Sequence, residues 1–210
     1  MTRSILFAMA LAASAMTASA ANVTYTTAIT WDCGSASNCS VSGTDLTIND
    51  LILRYTPNSA TVDAPVTPGF TGANFGEVIA LCSVGGDCSG LTSVAGALIT
   101  VTINQTVPFV QSTQFNGVLG GQISNTQSLS PALMTFSPLF TSTSDGFSQI
   151  VNYFLQQPSF PANGYIINSI NDNRSTSLQG AVNFEDVPEP STIALIGLGL
   201  AAIAIRRRKA

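Results

Sequence analysis

Four cysteines are the residues whose type and spacing point most directly to chemistry. Cys33 and Cys39 enclose GSASN, and Cys82 and Cys88 enclose SVGGD, so the same spacing occurs twice. In an oxidising compartment this pattern predicts two disulfides, for which three pairings exist. Chain entropy favours a long link, at about 4 kcal/mol, over a seven-residue loop, at about 2.4 kcal/mol. Proximity during export and the Gly- and Ser-rich loops favour the local pairs, so we predict Cys33–Cys39 and Cys82–Cys88.

The sequence offers few residues for metal binding or catalysis. A zinc site, the alternative use of the cysteines, usually has ligands about two to four residues apart. The chain has no histidine, and its one lysine is Lys209, so no Ser-His or Ser-Lys pair can form in the body. Paired carboxylates could serve a glycosidase, but scattered acids are typical of a solvated surface. We therefore predict no catalytic residue, no cofactor and no enzyme activity. The acids concerned are Asp45, Asp50, Glu77, Asp87 and Asp145.

Weaker candidates for binding lie in turns and on aromatic residues. Asn49-Asp50 and residues 171–173 (Asn-Asp-Asn) offer oxygen ligands to calcium, but neither has EF-hand spacing. Turn formation explains both segments equally well, and we predict no metal site. Tyr25, Trp31 and Tyr55 could stack on sugar rings, although packing in the core is the use that we expect.

These residues lie on a chain dominated by alternation of apolar and polar residues at period two. Residues 99–103 and 178–184 alternate cleanly, and residues 46–55 change phase at Asn49-Asp50, which predicts a bulge or tight turn. Further apolar runs rich in β-branched and aromatic residues are 75–81, 117–123, 134–140, 147–155 and 165–170. Eight to twelve short strands without helical periodicity predict an all-β, antiparallel β-sandwich of jelly-roll type.

Turn signals separate the predicted strands. Asn163-Gly164 lies between two apolar runs and predicts a hairpin that joins them. Residues 56–71, which include Pro65 and Pro68, are predicted to form a loop.

Charge limits the classes of partner. Charged residues are only 9% of the 210-residue chain, against about 25% in an ordinary soluble domain. Residues 21–187 contain ten carboxylates and two arginines, a net charge of −8. Such a body has no basic patch to release counterions from nucleic acid. We predict no nucleic-acid partner.

The N-terminus has the three parts of a secretory signal peptide. Arg3 supplies the positive charge, residues 5–16 are apolar, and Ala18 and Ala20 form a small-x-small cleavage site. The apolar run is too short for a first transmembrane helix. We expect the Sec translocon and signal peptidase as partners, with residues 1–20 removed and Ala21 as the first mature residue.

The C-terminus ends in an apolar run and a basic stub. Residues 193–205 carry no polar side chain and rise about 20 Å as a helix, against a hydrocarbon core of about 30 Å. The cations that follow suit the cytoplasmic side of a membrane. We predict one short C-terminal transmembrane helix in the inner membrane. The basic stub consists of Arg206, Arg207, Arg208 and Lys209.

The whole ending resembles the PEP-CTERM sorting signal of exported proteins of Gram-negative bacteria. Pro188, Glu189 and Pro190 come first, then Ser191-Thr192, the short apolar run and the basic stub. The resemblance covers about 24 residues of 210. It implies that exosortase, a membrane-embedded transpeptidase-like protease, recognises the Pro-Glu-Pro triplet and removes the tail near it. The apolar run would be a transient anchor, and the basic stub would fix its orientation.

The expected organisation is a signal peptide at 1–20, a β-sandwich body at 21–186 and a sorting segment at 187–210. We expect a non-enzymatic protein of the cell surface or extracellular matrix, linked to exopolysaccharide or biofilm. One alternative is a carbohydrate-binding module for the cell's own exopolysaccharide. Another is a secreted glycoside hydrolase with paired carboxylates.

Overall fold

The computed structural model describes residues 20–124, 131–158 and 164–186. The predicted signal peptide, apart from Ala20, and the predicted sorting segment at 187–210 lie outside the described residues. Over the described ranges, no helix is long and apolar enough to cross a membrane.

The alternating segments form strands, as predicted. The fifteen strands of the described residues exceed the predicted eight to twelve, because two-residue strands are too short to show alternation. One 3-10 turn, Ile170–Asp172, precedes the last strand. The strands are β1 (Ala21–Asp32), β2 (Cys39–Ser42), β3 (Asp45–Ile48), β4 (Leu51–Thr56), β5 (Ser59–Ala64), β6 (Thr71–Cys82), β7 (Thr92–Ser93), β8 (Leu98–Val107), β9 (Gln111–Gly120), β10 (Gln122–Ile123), β11 (Leu133–Phe136), β12 (Phe140–Ser144), β13 (Gln149–Leu155), β14 (Tyr165–Ile166) and β15 (Thr176–Asp186).

Two curled sheets contain nearly all of these strands. The first has six strands in the order β14-β11-β9-β8-β1-β5, and the second has seven in the order β12-β13-β15-β6-β4-β3-β2. β7 and β10 form a separate two-stranded pair. Neighbouring strands run antiparallel in both large sheets. The all-β, antiparallel class is therefore confirmed, whereas the jelly-roll arrangement stays a prediction.

The core lies between the two sheets, in a sandwich-like arrangement. The ring of Tyr25 in the first sheet lies 5.8 Å from Phe75 and 6.1 Å from Tyr153, both in the second. Phe75 also lies 5.8 Å from Phe115 of the first sheet. The Tyr55 hydroxyl is 2.8 Å from the hydroxyl of Thr27, another link between the sheets. Aromatic contacts at these distances stabilise a core beyond their buried area.

Two sequence predictions about connections were wrong. The predicted loop at 56–71 contains strand β5, an edge strand that pairs with β1 from Ala21↔Ala64 to Thr26↔Ser59. An edge strand pairs on one side only, so Ser, Thr and Ala suffice to form it. The predicted Asn163-Gly164 hairpin does not join its flanking strands, because β13 pairs with β12 and β15 whereas β14 pairs with β11 in the other sheet. Asn163 itself lies outside the described residues.

The phase shift at Asn49-Asp50 is a tight two-residue turn between β3 and β4. Ile48 pairs with Leu51 across it, and Asn49 has a φ of 52°. Asn tolerates this left-handed conformation better than most residues.

Strand directions place the first and last strand residues, Ala21 and Asp186, at the opposite end of the body from the disulfides. β6 runs from Thr71, opposite Val182, to Cys82, opposite Leu51. A strand of twelve residues spans roughly 36 Å. We call one end the terminal pole: Ala21, Asp186 and the turns at 108–110 and 145–148. The other is the disulfide pole: the loops at 33–39 and 82–88 with the turns at 49–50 and 94–97.

Candidate functional site at the two poles of the body

Both local disulfides predicted from the spacing are present. Cys33 bonds to Cys39 with a Cα–Cα distance of 5.6 Å, and Cys82 bonds to Cys88 at 6.0 Å. All four cysteines are therefore used, and the alternative of a cysteine zinc site is wrong. The rest of the described chain also lacks a group of three or more potential metal-binding side chains.

The Asn49-Asp50 turn fixes both disulfide loops. Asn38 donates a hydrogen bond from Nδ2 to Oδ1 of Asn49 at 3.0 Å, and the Asn49 amide donates to the Asn38 carbonyl at 3.0 Å. On the other side, the Asp50 carboxylate accepts from the Asp87 amide at 3.0 Å and from the Ser83 hydroxyl at 3.3 Å. The Asp50 carbonyl accepts from the Ser83 amide at 2.8 Å. The oxygens of Asn49 and Asp50, which were considered as calcium ligands, thus accept hydrogen bonds that hold the two disulfide loops.

An open groove of about 280 Å³ lies beside this turn. Hydroxyl, amide and small apolar groups line it, and the lining has no titratable side chain. A groove of this composition can offer hydrogen bonds but no acid or base. Its lining residues are Ser35, Ala36, Ser37, Ile48, Asn49, Ser93 and Ala95.

Three of the candidate acids have a lowered pKa. Arg54 donates from Nε and Nη2 to the two carboxylate oxygens of Asp45 at 2.9 and 2.8 Å, and these hydrogen bonds lower the Asp45 pKa. Hydrogen bonds from Ser89 lower the pKa of Asp87, and backbone amides of the turn at 145–149 lower that of Asp145. A general acid needs the opposite shift.

The remaining two candidate acids also have ordinary structural partners. Glu77 accepts a hydrogen bond from the Ser175 hydroxyl at 2.6 Å, and Asp50 holds the disulfide loop as described above. The five acids are thus held by an arginine, hydroxyls and amides. Asp87 and Asp145 have partners within their own loop or turn, whereas Arg54 and Ser175, the partners of Asp45 and Glu77, come from other segments that the sequence pattern could not place beside them.

The aromatic residues first considered for sugar binding lie in the core. Tyr25, Trp31 and Tyr55 are 0%, 3% and 1% exposed, so their expected core use is confirmed and stacking on a sugar is excluded. The Trp31 indole donates to the Thr44 carbonyl at 2.9 Å.

Other aromatic side chains are exposed instead. Phe70 and Phe140 are 55% and 46% exposed, and each ring centroid lies 4.9 Å from that of Phe154. We call these three residues the aromatic strip. Sequence reasoning missed it because the strip combines Phe70, Phe140 and Phe154 from three separate segments of the chain, which the alternation pattern cannot place side by side.

The comparisons with known proteins concern the tail. The family model of the PEP-CTERM protein-sorting motif matches residues 186–209. The match includes Pro188, Glu189, Pro190 and the basic stub, and its first residue, Asp186, is the last residue of β15. No curated protein and no solved structure matches the chain. The chain thus carries a PEP-CTERM sorting motif, which begins in the sequence at the last described residue, Asp186.

Proposed function

We propose, from the sorting motif at residues 186–209, that this protein is a non-enzymatic component of the cell surface or extracellular matrix. The motif implies export and processing by exosortase. Our proposal adds a structural or interaction role linked to exopolysaccharide or biofilm, for a body of jelly-roll type. The position of the motif, immediately after the last strand, carries the proposal.

The proposed route uses both ends of the chain. The Sec translocon exports the chain, and signal peptidase cleaves after Ala20. Residues 193–205 then hold the precursor in the inner membrane, with the basic stub in the cytoplasm. Exosortase removes the tail near Glu189 and releases the body.

Three features of the body support a non-enzymatic role. Its candidate acids are engaged by other groups, and its groove has no titratable lining residue. The body has no histidine and no lysine. A glycoside hydrolase places two carboxylates on either side of the bond that it cleaves, whereas the contacts of these acids are with an arginine, hydroxyls and amides.

Processing can be tested with two matched glutamates. Glu189→Gln changes the Pro-Glu-Pro triplet, whereas Glu185→Gln changes a β15 residue just outside the matched range. We expect Glu189→Gln to leave unprocessed precursor in the membrane and Glu185→Gln to be released like the wild type. Immunoblots of membrane and medium fractions measure this. Equal release of both variants contradicts recognition of the triplet.

The aromatic strip supports a second candidate function, binding of the cell's own exopolysaccharide. Exposed aromatic rings offer C–H and π contacts to sugars, and the neighbouring Ser142 and Ser144 are exposed hydroxyl residues on the same strand as Phe140. We expect gels that contain this polysaccharide to retard the released protein. Phe70→Ser with Phe140→Ser should abolish the retardation, and Phe147→Ser, which changes an exposed Phe outside the strip, should not. Unretarded wild-type protein contradicts this candidate.

A further inference from the structure

Two strongly exposed apolar side chains lie at tips of the terminal pole. Phe147 is 88% exposed in the turn between β12 and β13, and Val110 is 85% exposed in the turn between β8 and β9. Most large apolar side chains of the described body are buried; the strongly exposed ones include Val84 at the disulfide pole and this pair at the terminal pole.

The turn that carries Phe147 has a fixed shape. Oδ1 of Asp145 accepts hydrogen bonds from the amides of Phe147, Ser148 and Gln149 at 2.8, 3.0 and 3.0 Å. Three amides on one carboxylate oxygen hold the backbone, so the Phe147 ring is held outward by the turn itself.

A buried polar network fixes the turn that carries Val110. Gln105 is only 1% exposed, and its Nε2 donates to the Phe109 carbonyl at 3.0 Å. Its Oε1 accepts from the hydroxyls of Thr143 and Tyr153 at 2.6 and 2.7 Å. Thr143 and Tyr153 belong to β12 and β13, the strands that the Phe147 turn joins.

A direct bond also joins the two hairpins. The Ser144 amide donates to Oε1 of Gln111 at 3.3 Å. The hairpins that carry Phe147 and Val110 therefore hold each other in place, and both side chains project from the same end of the body.

Both ends of the described chain lie at this pole. Ala21 pairs with Ala64, and Val66, two residues later, forms a bridge with Phe184 close to the last described residue, Asp186. The next six residues, 187–192, lead to the apolar run at 193–205. Six extended residues span at most about 20 Å, so a membrane-held tail keeps this pole near the lipid. The disulfide pole lies roughly 36 Å further away.

We propose that Phe147 and Val110 insert into the headgroup region of the inner membrane while the tail holds the precursor. This inference rests on the tethered stage of the proposed function. Apolar side chains on a polar body favour the lipid interface, and tethering supplies a high effective concentration, so two side chains suffice for a weak contact. The contact orients the body with its disulfide pole outward and brings the Pro-Glu-Pro triplet to the membrane surface.

Charge predicts which lipids favour the contact. Asp63, Asp145, Glu185 and Asp186 lie at or beside the terminal pole. The two arginines of the body lie elsewhere: Arg54 pairs with Ile79, and Arg174 precedes the Thr176↔Val78 pair. The contact is therefore apolar, and anionic lipid should weaken it.

Tryptophan fluorescence tests the inference on the precursor purified from membranes of cells without exosortase. The precursor is placed in phosphatidylcholine vesicles with brominated acyl chains, which quench nearby indoles. Wild-type protein contains only Trp31, which is 3% exposed at the disulfide pole. Phe147→Trp adds an indole at the terminal pole, and Val84→Trp adds one at a fully exposed site of the disulfide pole.

We expect quenching and a blue shift for the added indole of Phe147→Trp, and neither for Val84→Trp. Replacing a third of the lipid with phosphatidylglycerol should reduce the quenching. Equal quenching of the two variants, no quenching of Phe147→Trp, or stronger quenching with phosphatidylglycerol would overturn the inference.

Vesicle flotation separates this inference from the proposed function. If the precursor floats but the Phe147→Trp indole is unquenched, the tether is present and only the membrane-contact inference is contradicted. If the precursor does not float, both the tether and the membrane-contact inference that rests on it are contradicted.

Discussion

At the scale of single residues, buried phenols show how strongly the body excludes water. All four tyrosines of the chain lie in the described core. Burial raises the pKa of each: it raises the pKa of Tyr55 to about 12 and those of Tyr25, Tyr153 and Tyr165 above their ordinary value. Removal from water disfavours the charged phenolate.

This shift predicts how stability changes in alkali. A phenol whose pKa is higher in the folded than in the unfolded state contributes stability that is complete below the unfolded pKa of 10.0. That stability is lost as the pH rises from there through the folded pKa. We expect absorbance at the phenolate band to stay flat through the ordinary pKa, then rise for all four tyrosines together as the protein unfolds. Gradual titration around the ordinary pKa with an unchanged circular dichroism spectrum would contradict the burial.

Residue identity predicted some functional features and missed others. Cysteine spacing left three pairings open, and the local pairs were predicted correctly from proximity and from the Gly- and Ser-rich loops that they close. The exposure of Phe147 and Val110 was not predictable, because each follows an ordinary turn signal, Asp145-Gly146 and Pro108. Their supports, such as Gln105 with Thr143 and Tyr153, come from different hairpins.

At the scale of elements, the two disulfide loops stabilise the turns around them. A cross-link of seven residues removes entropy from the unfolded chain that corresponds to about 2.4 kcal/mol. The loop at 82–88 has further hydrogen bonds to Asp50. The loop at 33–39 is joined to Asn49 and to Gly96, whose carbonyl accepts from the Ser35 amide at 3.2 Å.

Removing one disulfide should therefore lower the free energy of unfolding only moderately. We expect Cys33→Ser with Cys39→Ser to lower the free energy of unfolding by about 2.4 kcal/mol, measured by urea titration under non-reducing conditions. Cys82→Ser with Cys88→Ser is the matched comparison and should cost a similar amount. A cross-linked peptide that joins Cys33 to Cys82 in the wild type would contradict the local pairing.

Strand alternation predicted most elements, but not how they connect. The segments at 99–103 and 178–184 lie in β8 and β15, where alternate side chains face the core. β5 was missed because its small residues bury only Ala64 fully. The β13–β14 connection was predicted as a hairpin because a turn signal does not show whether the chain returns to the same sheet.

At the scale of the whole molecule, contacts between the sheets hold the body together. Phe75 is central, since its ring contacts Tyr25 and Phe115 of the first sheet and Tyr153 of its own. It is fully buried, whereas Phe147 is 88% exposed. The two residues form a matched pair for measuring what packing between the sheets contributes.

We expect Phe75→Ala to lower the free energy of unfolding by about 3–5 kcal/mol, because it leaves a cavity between the sheets. Phe147→Ala should change it by less than about 0.5 kcal/mol. Chemical denaturation of the two variants gives both values. Similar values for the two would contradict the facing arrangement of the sheets.

The separation of the poles is also a property of the whole molecule. It depends on the register of β1, β6 and β15, which the sequence pattern does not specify. The result is a body whose two ends differ: Asp186 and the apolar tips lie at one, and the disulfide loops and the polar groove lie at the other. This arrangement suits a protein that is held at the membrane and then released.

The central claim is that the tail is removed from an exported, oxidised body. Intact mass spectrometry of the protein released by cells with and without exosortase tests it most directly. We predict a released chain that begins at Ala21, ends close to Pro188-Glu189-Pro190 and is four hydrogens lighter than its reduced form. Cells without exosortase should release none and retain the tail-bearing form in the membrane. A released protein that keeps residues 193–209, or equal release from both cells, would contradict the claim.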